Sequence, residues 1–383
     1  MRGNIQVLTL KGIPIRVHFS FLLILPFLAW SFGQSFRLAA ETANVPPEQL
    51  VGHPLLWGLG VALALFLSVL VHELAHSFYA RFKGGEVSDI RLMMIGGVSN
   101  ITRMPEGNRH EALMALAGPV TSLAIGGLSL LVHHLLEGTS SFNLSFAFFY
   151  LGSLNVFLGF FNLLPAFPMD GGRVLRAVLS GWLGRVRATR VAGWVGQGFA
   201  LLFGLYGIVS GNFLLLFIAF FVFMGAAAES REVLLQSKLG EVPVRELMEP
   251  ASITVDADAS LREVTEALYA GRLRTVVVLE QGRVLGLVRQ EAVRQVAVED
   301  LSRQSARELA EPVPVLPPDA TAWEALKEMS QSQCSQLPVL QDGQLVGLVT
   351  QEDIVRELER RERRDSQPRG PWKLGNREHE SPT

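Results

Sequence analysis

The stretch LSVLVHELAHSFYARF, residues 67–82, ends a long apolar run in an H-E-x-x-H pattern made by His72, Glu73 and His76. On a helix, histidines four positions apart lie on one face, one turn from each other, so both imidazoles can reach one metal ion. Glu73, beside the first of them, is placed to take a proton from a water that the metal activates. No charged side chain occurs from Leu55 to Leu70, so the pattern falls inside a bilayer-spanning segment. Ionisable groups are costly there and are usually kept for function.

Working outward, the 383 residues are 49% hydrophobic and 18% charged, with a positive mean hydropathy. The excess is uneven: apolar runs dominate up to Ala228, and from Glu229 the chain has the charge density of a soluble protein. A net charge of −2 leaves no electrostatic footprint for nucleic acid. Cys334 is the only cysteine, which excludes an intrachain disulfide and thiolate zinc clusters. A metal must therefore be held by histidine, carboxylate and water.

About six runs approach the ~20 apolar residues that a bilayer requires: 18–34, 55–80, 111–136, 145–164, 192–210 and 212–228. The first follows a polar lead without a small-residue cleavage site, so it reads as a retained span. Basic residues alternate across the runs. Arg2, Lys11 and Arg16 precede the first; Arg81, Lys83, Arg91, Arg103 and Arg109 follow the second. Arg173, Arg176, Arg185, Arg187 and Arg190 follow the fourth, whereas the loop 137–144 has no Lys or Arg. The expectation is a multi-pass protein of the cell membrane with both termini cytoplasmic and the His72/His76 end of the second span near that side.

A zinc ion held by two histidines needs a third protein ligand and an open position. The fourth run ends in FNLLPAFPMDGGR, where Pro165 and Pro168 break the helix, Gly171 and Gly172 allow a tight turn, and Asp170 faces a cavity rather than lipid. By the same orientation Asp170 reaches the depth of His72 and His76. HELAH followed by N-x-x-P-x-x-P-x-D-G-G, with ALAGPVTS at 115–122 and MIGGVSN at 94–100, resembles the site-2 protease family of intramembrane zinc metalloproteases over residues 1–228. The resemblance implies one zinc ion per chain on His72, His76 and Asp170, with Glu73 as general base. It implies that Asn162 assists substrate or oxyanion binding, the alternative being that it only caps the broken helix. Met169 stands where the family commonly has Leu. The implied substrate is a membrane-spanning protein such as an anti-sigma factor or similar regulator. The segment 84–101 is too broken by glycine to span and is rich in β-formers. It is expected to form a hairpin dipping toward the membrane, whose edge can pair with an unfolded substrate.

From Val242 the sequence repeats at a spacing near sixty residues: VRELMEP (244–250) answers ARELAEP (306–312), and GRVLGLVRQE (282–291) answers GQLVGLVTQE (343–352). Each unit reads as strand, amphipathic helix, hairpin turning at Gln281-Gly282 or Asp342-Gly343, and closing helix. This is similar to a tandem pair of cystathionine-β-synthase-type (CBS) domains. Such pairs often bind adenine nucleotides and also offer a surface for homodimer formation. The Thr and Asp of the nucleotide-binding form occur in the second repeat as Thr350 and Asp353; the first has Arg289 and Ala292. A helix cap is an equal explanation for Thr350 and Asp353.

The fold class expected is thus a polytopic α-helical membrane protein of about six spans followed by a soluble α+β CBS pair. The divisions are 1–228, a linker at 229–242, CBS domains at 243–300 and 301–360, and a disordered polar tail at 361–383. A CBS-regulated transporter would also use broken helices, but it predicts acids spread along a path. An inactive scaffold would have no use for Glu73.

Overall fold

The computed structural model describes residues 4–46, 50, 52–94, 96–137, 141–250, 253–271 and 273–366, in two compact units, Met1–Val233 and Leu234–Thr383. The first unit opens with strands β1 (Asn4–Leu10) and β2 (Ile13–His18), then helices α1 (Phe19–Thr42) and α2 (Pro54–Phe82). Strands β3 (Glu86–Met93) and β4 (Gly96–Arg103) follow, and then α3 (Asn108–Leu136), α4 (Phe142–Asn162), α5 (Asp170–Leu183), α6 (Arg185–Ser210) and α7 (Phe213–Leu239). Among the described residues six of these helices, all but α5, are long and apolar enough to cross a membrane. The chain is a multi-pass membrane protein.

Helix starts follow local chemistry. The ring nitrogens of His18 and His53 accept from the backbone N–H of Ser20 and Leu55, capping α1 and α2, and Pro54 occupies the first turn of α2.

The segment at 84–101 forms an antiparallel hairpin of β3 and β4. The polar lead before the first span is not a bare lead: β1 and β2 pair with each other, and β2 joins β3 in parallel through Ile15–Ile90. Burial of Ile13, Ile15 and Ile90 on one face holds this four-stranded sheet to α2. Its order, β1-β2-β3-β4, leaves β4 at an edge. Asp89 of β3 accepts hydrogen bonds from Ser88 and Arg91 of its own strand and from Asn100 of β4. Burial pushes its carboxyl up, but those three hydrogen bonds hold it below the usual carboxylate range.

In the second unit β5 (Thr254–Asp256), α8 (Leu261–Ala270), β6 (Thr275–Glu280), β7 (Arg283–Arg289) and α9 (Gln290–Arg294) form the first repeat. Then come α10 (Ala306–Leu309), α11 (Ala322–Ser332), β8 (Gln336–Gln341), β9 (Gln344–Thr350) and α12 (Gln351–Ser366). Both hairpins turn where expected, with positive φ at Gln281, Gly282, Asp342 and Gly343, the signature of a type I′ turn. The leading segments are exchanged. Val242 and Val244 sit in the core of the second repeat, and Ala306 sits in that of the first. Backbone bonds from Val244 to Ala320 and from Ala306 to Ala259 fix the exchange.

Two boundaries differ from the sequence reading. The stretch 229–239, expected as linker, is helical as the end of α7. Residues 361–366, expected in a disordered tail, continue α12, whose arginines pair with Glu357 and Glu359 one turn back. The remainder of that tail, 367–383, lies outside the described residues.

Candidate metal centre

Helix α2 carries His72 and His76 on one buried face. Asp170 is the first residue of α5, where the helix dipole favours a carboxylate. The break that brings it there is the turn 163–169, which holds Pro165 and Pro168. The Nε2 atoms of His72 and His76 are 3.1 Å apart, and each is 3.2 Å from Asp170 Oδ2. Tetrahedral ligands about 2.0–2.1 Å from zinc stand roughly 3.3 Å from one another. The triangle therefore has the dimensions of one face of a zinc tetrahedron.

The opposite ring nitrogens bear on the tautomer. His76 Nδ1 is 2.7 Å from the carbonyl oxygen of Met114, which can only accept, so Nδ1 carries a proton, and in the neutral ring Nε2 is then the nitrogen with a lone pair for a metal. His72 Nδ1 lies 2.9 Å from Ser122 Oγ. Both partners belong to α3, and such outer contacts orient and strengthen imidazole ligands.

Room at the triangle depends on Gly118 of α3. A Cβ there would lie 2.2 Å from His76 Nε2 and 2.5 Å from His72 Nε2, a position within reach of both lone pairs. Donor set, spacing and open space all fit a zinc ion.

Glu73, half-buried on α2, turns toward β4. Ser99 Oγ donates to Glu73 Oε2 at 2.6 Å and itself lies 3.1 Å from Ser77 Oγ. This holds one carboxylate oxygen and leaves the other available. Asn162 ends α4, and its Nδ2 donates to Leu158 O in its own helix at 3.0 Å. No hydrogen bond among the described residues ties it to the triangle. It lines an apolar cavity of about 800 Å³ with Ile24, Met94, Met169, Phe217 and Phe221. Asn162 is thus on the wall of a cavity that also touches the residue before Asp170.

In the second unit, Thr350 and Asp353 cap α12 reciprocally. Thr350 N–H and Oγ1 both donate to Asp353 Oδ2, at 3.0 and 2.6 Å, and Asp353 N–H donates back to Thr350 Oγ1. Thr350 also borders a cleft of about 640 Å³ with Arg274, Gln336 and Arg356.

Reading the sequence missed Ser122, Met114 and Ser99, which contact His72, His76 and Glu73, and the close approach of Gly118. ALAGPVTS and MIGGVSN were noted as patterns, and hydroxyl and glycine positions inside them were the available signal.

The sequence pattern of peptidase family M50 matches residues 60–145 and 134–205, and that of the CBS domain matches 244–299 and 306–360. A zinc metalloprotease of Methanocaldococcus jannaschii is 30% identical over 359 residues, 94% of this chain and 97% of its own. Stage IV sporulation protein FB of Bacillus subtilis is 26% identical over 289 residues, 67% of this chain and 93% of its own. Among solved structures, the site-2 protease from Methanocaldococcus jannaschii is 34% identical with a TM-score of 0.42, covering 60% of this chain and 95% of that one.

Proposed function

Since the chain belongs to peptidase family M50, the site-2 type of zinc metalloprotease, we propose that it hydrolyses peptide bonds of membrane-spanning proteins. The observation that carries this reading is the His72–His76–Asp170 triangle at zinc spacing, with both histidines on the apolar helix α2. In it His72, His76 and Asp170 are the zinc ligands and Glu73 is the general base. Bound zinc supplies a Lewis acid that brings a water toward ionisation at neutral pH and draws charge from a carbonyl oxygen.

Glu73 takes the proton of the attacking water on its free carboxylate oxygen and returns it to the leaving amine. Ser99 keeps that carboxylate from rotating away. Asn162, on the cavity wall, is the donor for the substrate backbone or the developing oxyanion, and must release Leu158 O to act. The apolar cavity bordered by Ile24 and Phe217 takes substrate side chains. The substrate must first unwind, because helical carbonyls are already hydrogen-bonded; the open edge of β4 can then pair with the extended segment. A single-span, membrane-held regulator such as an anti-sigma factor meets these demands. The alternation of basic residues supports cytoplasmic termini and a cytoplasmic CBS pair.

The CBS pair is proposed to bind an adenine nucleotide at the cleft beside Thr350, and to regulate the protease or pair two copies.

The test is Glu73→Gln in purified protein with a transmembrane substrate. Zinc content should stay at one equivalent while cleavage disappears. Wild-type cleavage by this variant would refute the assignment of the base.

A further inference from the structure

The two halves of the metal site sit on different helices, and one buried side chain ties them together. Arg176 of α5 is the largest fully buried side chain among the described residues, only 1% exposed. Its Nε donates to Glu111 Oε1 of α3 at 2.6 Å, and its Nη1 donates to Glu229 Oε1 of α7 at 3.1 Å. Its guanidinium lies over the Phe167 ring, 5.0 Å from the centroid. Phe167 belongs to the turn that delivers Asp170.

Glu111 lies one turn before Met114 on α3, the helix whose Met114 carbonyl and Ser122 hydroxyl hold the two histidine rings. A continuous path therefore runs from the histidines through α3 and Glu111 to Arg176, and through α5 to Asp170. Helix α7 braces the same turn from another side. A Cβ at Gly225 would come within 2.7 Å of Pro168, and Glu229 stands one turn further along on that face.

Stability alone does not account for the arrangement. Replacing a buried ion group with apolar residues is often neutral or stabilising, because desolvation of the charges is so costly. A guanidinium bridging two carboxylates and stacking on a ring instead fixes geometry, which an ammonium cannot do in the same way. Zinc sites hold their ligand distances to about 0.2 Å, so the site has a use for such a fixture.

We propose that Arg176, held between Glu111 and Glu229, is a positioning residue that registers the Asp170 ligand against the His72–His76 pair. The proposal rests on the reading that Asp170 binds zinc.

The test uses the full chain purified in detergent, with zinc affinity measured by competition against a chelator. Arg176→Lys keeps the charge and loses the fork; it should weaken zinc binding at least tenfold. Glu229→Gln removes the charge of the more exposed partner and should weaken it roughly threefold to tenfold. At saturating zinc both should lower kcat with KM little changed. Hydrogen exchange of zinc-free protein over residues 165–176 should accelerate in both. A merely structural role would shift the melting temperature and leave zinc affinity and kcat unmoved, and that result would overturn the proposal. If Arg176→Lys does not fold, Glu229→Gln decides alone. Asp170→Ala separates the two readings. If it retains wild-type zinc affinity, the ligand assignment fails; if it loses zinc while the other two variants match wild type, only the positioning role fails.

Discussion

Gly118→Ala should empty the metal site by adding one carbon. The new methyl would stand 2.2 Å from His76 Nε2 and 2.5 Å from His72 Nε2, where ordinary contact is about 3.5 Å. Relief demands a movement of roughly 1 Å, by withdrawal of α3 from α2 or rotation of the rings. Withdrawal carries Met114 O and Ser122 Oγ away from the histidines, because both lie on α3. Rotation breaks the 3.1–3.2 Å triangle directly. Either outcome exceeds the ~0.2 Å tolerance of a zinc site several-fold. Zinc affinity should therefore fall at least ~100-fold, about 2.7 kcal/mol, and cleavage with it. The sign is what makes this informative. Without the clash, Gly→Ala within a helix stabilises by about 0.5–1 kcal/mol. The assay is chelator competition and substrate cleavage in detergent, with circular dichroism to check helix content. Gly127→Ala on the same helix is the control, since nothing lies within 4 Å of its added carbon. Wild-type zinc affinity and activity in Gly118→Ala, with a raised melting temperature, would refute the steric argument.

Two further outcomes are expected. Ser122→Ala removes the partner of His72 Nδ1 and should weaken zinc binding by about 10–100-fold without disturbing membrane insertion; an unchanged dissociation constant would show that the hydroxyl does not orient the ring. Asp353→Ala should reduce binding of ATP, ADP or AMP to the full chain in titration calorimetry and, because Asp353 caps α12, cost about 1 kcal/mol of stability. No binding of any adenine nucleotide to the wild-type chain at millimolar concentration would leave the CBS pair without that ligand.

The residues proposed to carry the chemistry were legible because their signals are local or follow from composition. His72, Glu73 and His76 share one helical turn, and Asp170 follows two prolines that must break a span. The hairpins at Gln281-Gly282 and Asp342-Gly343 show in their turn residues. What was hidden depends on tertiary approach. Strands β1 and β2 are short, and β2 finds its parallel partner in β3, more than seventy residues on. Helix α5 has an amphipathic pattern, yet between longer apolar runs the reading gave it no element of its own. Arg176 shows the cost of that reading. It was counted among the basic residues of a cytoplasmic loop, but it is buried and neutralised by Glu111 and Glu229. A charge paired inside the protein says nothing about which side of the membrane it faces. Arg185 also pairs with Glu111, at 3.7 Å, so the count for that segment falls to Arg173, Arg187 and Arg190. Three against none in 137–144 keeps the sign of the orientation argument. Arg176 is the residue that a charge count could least have interpreted, because its proposed role lies in the distance between two helices.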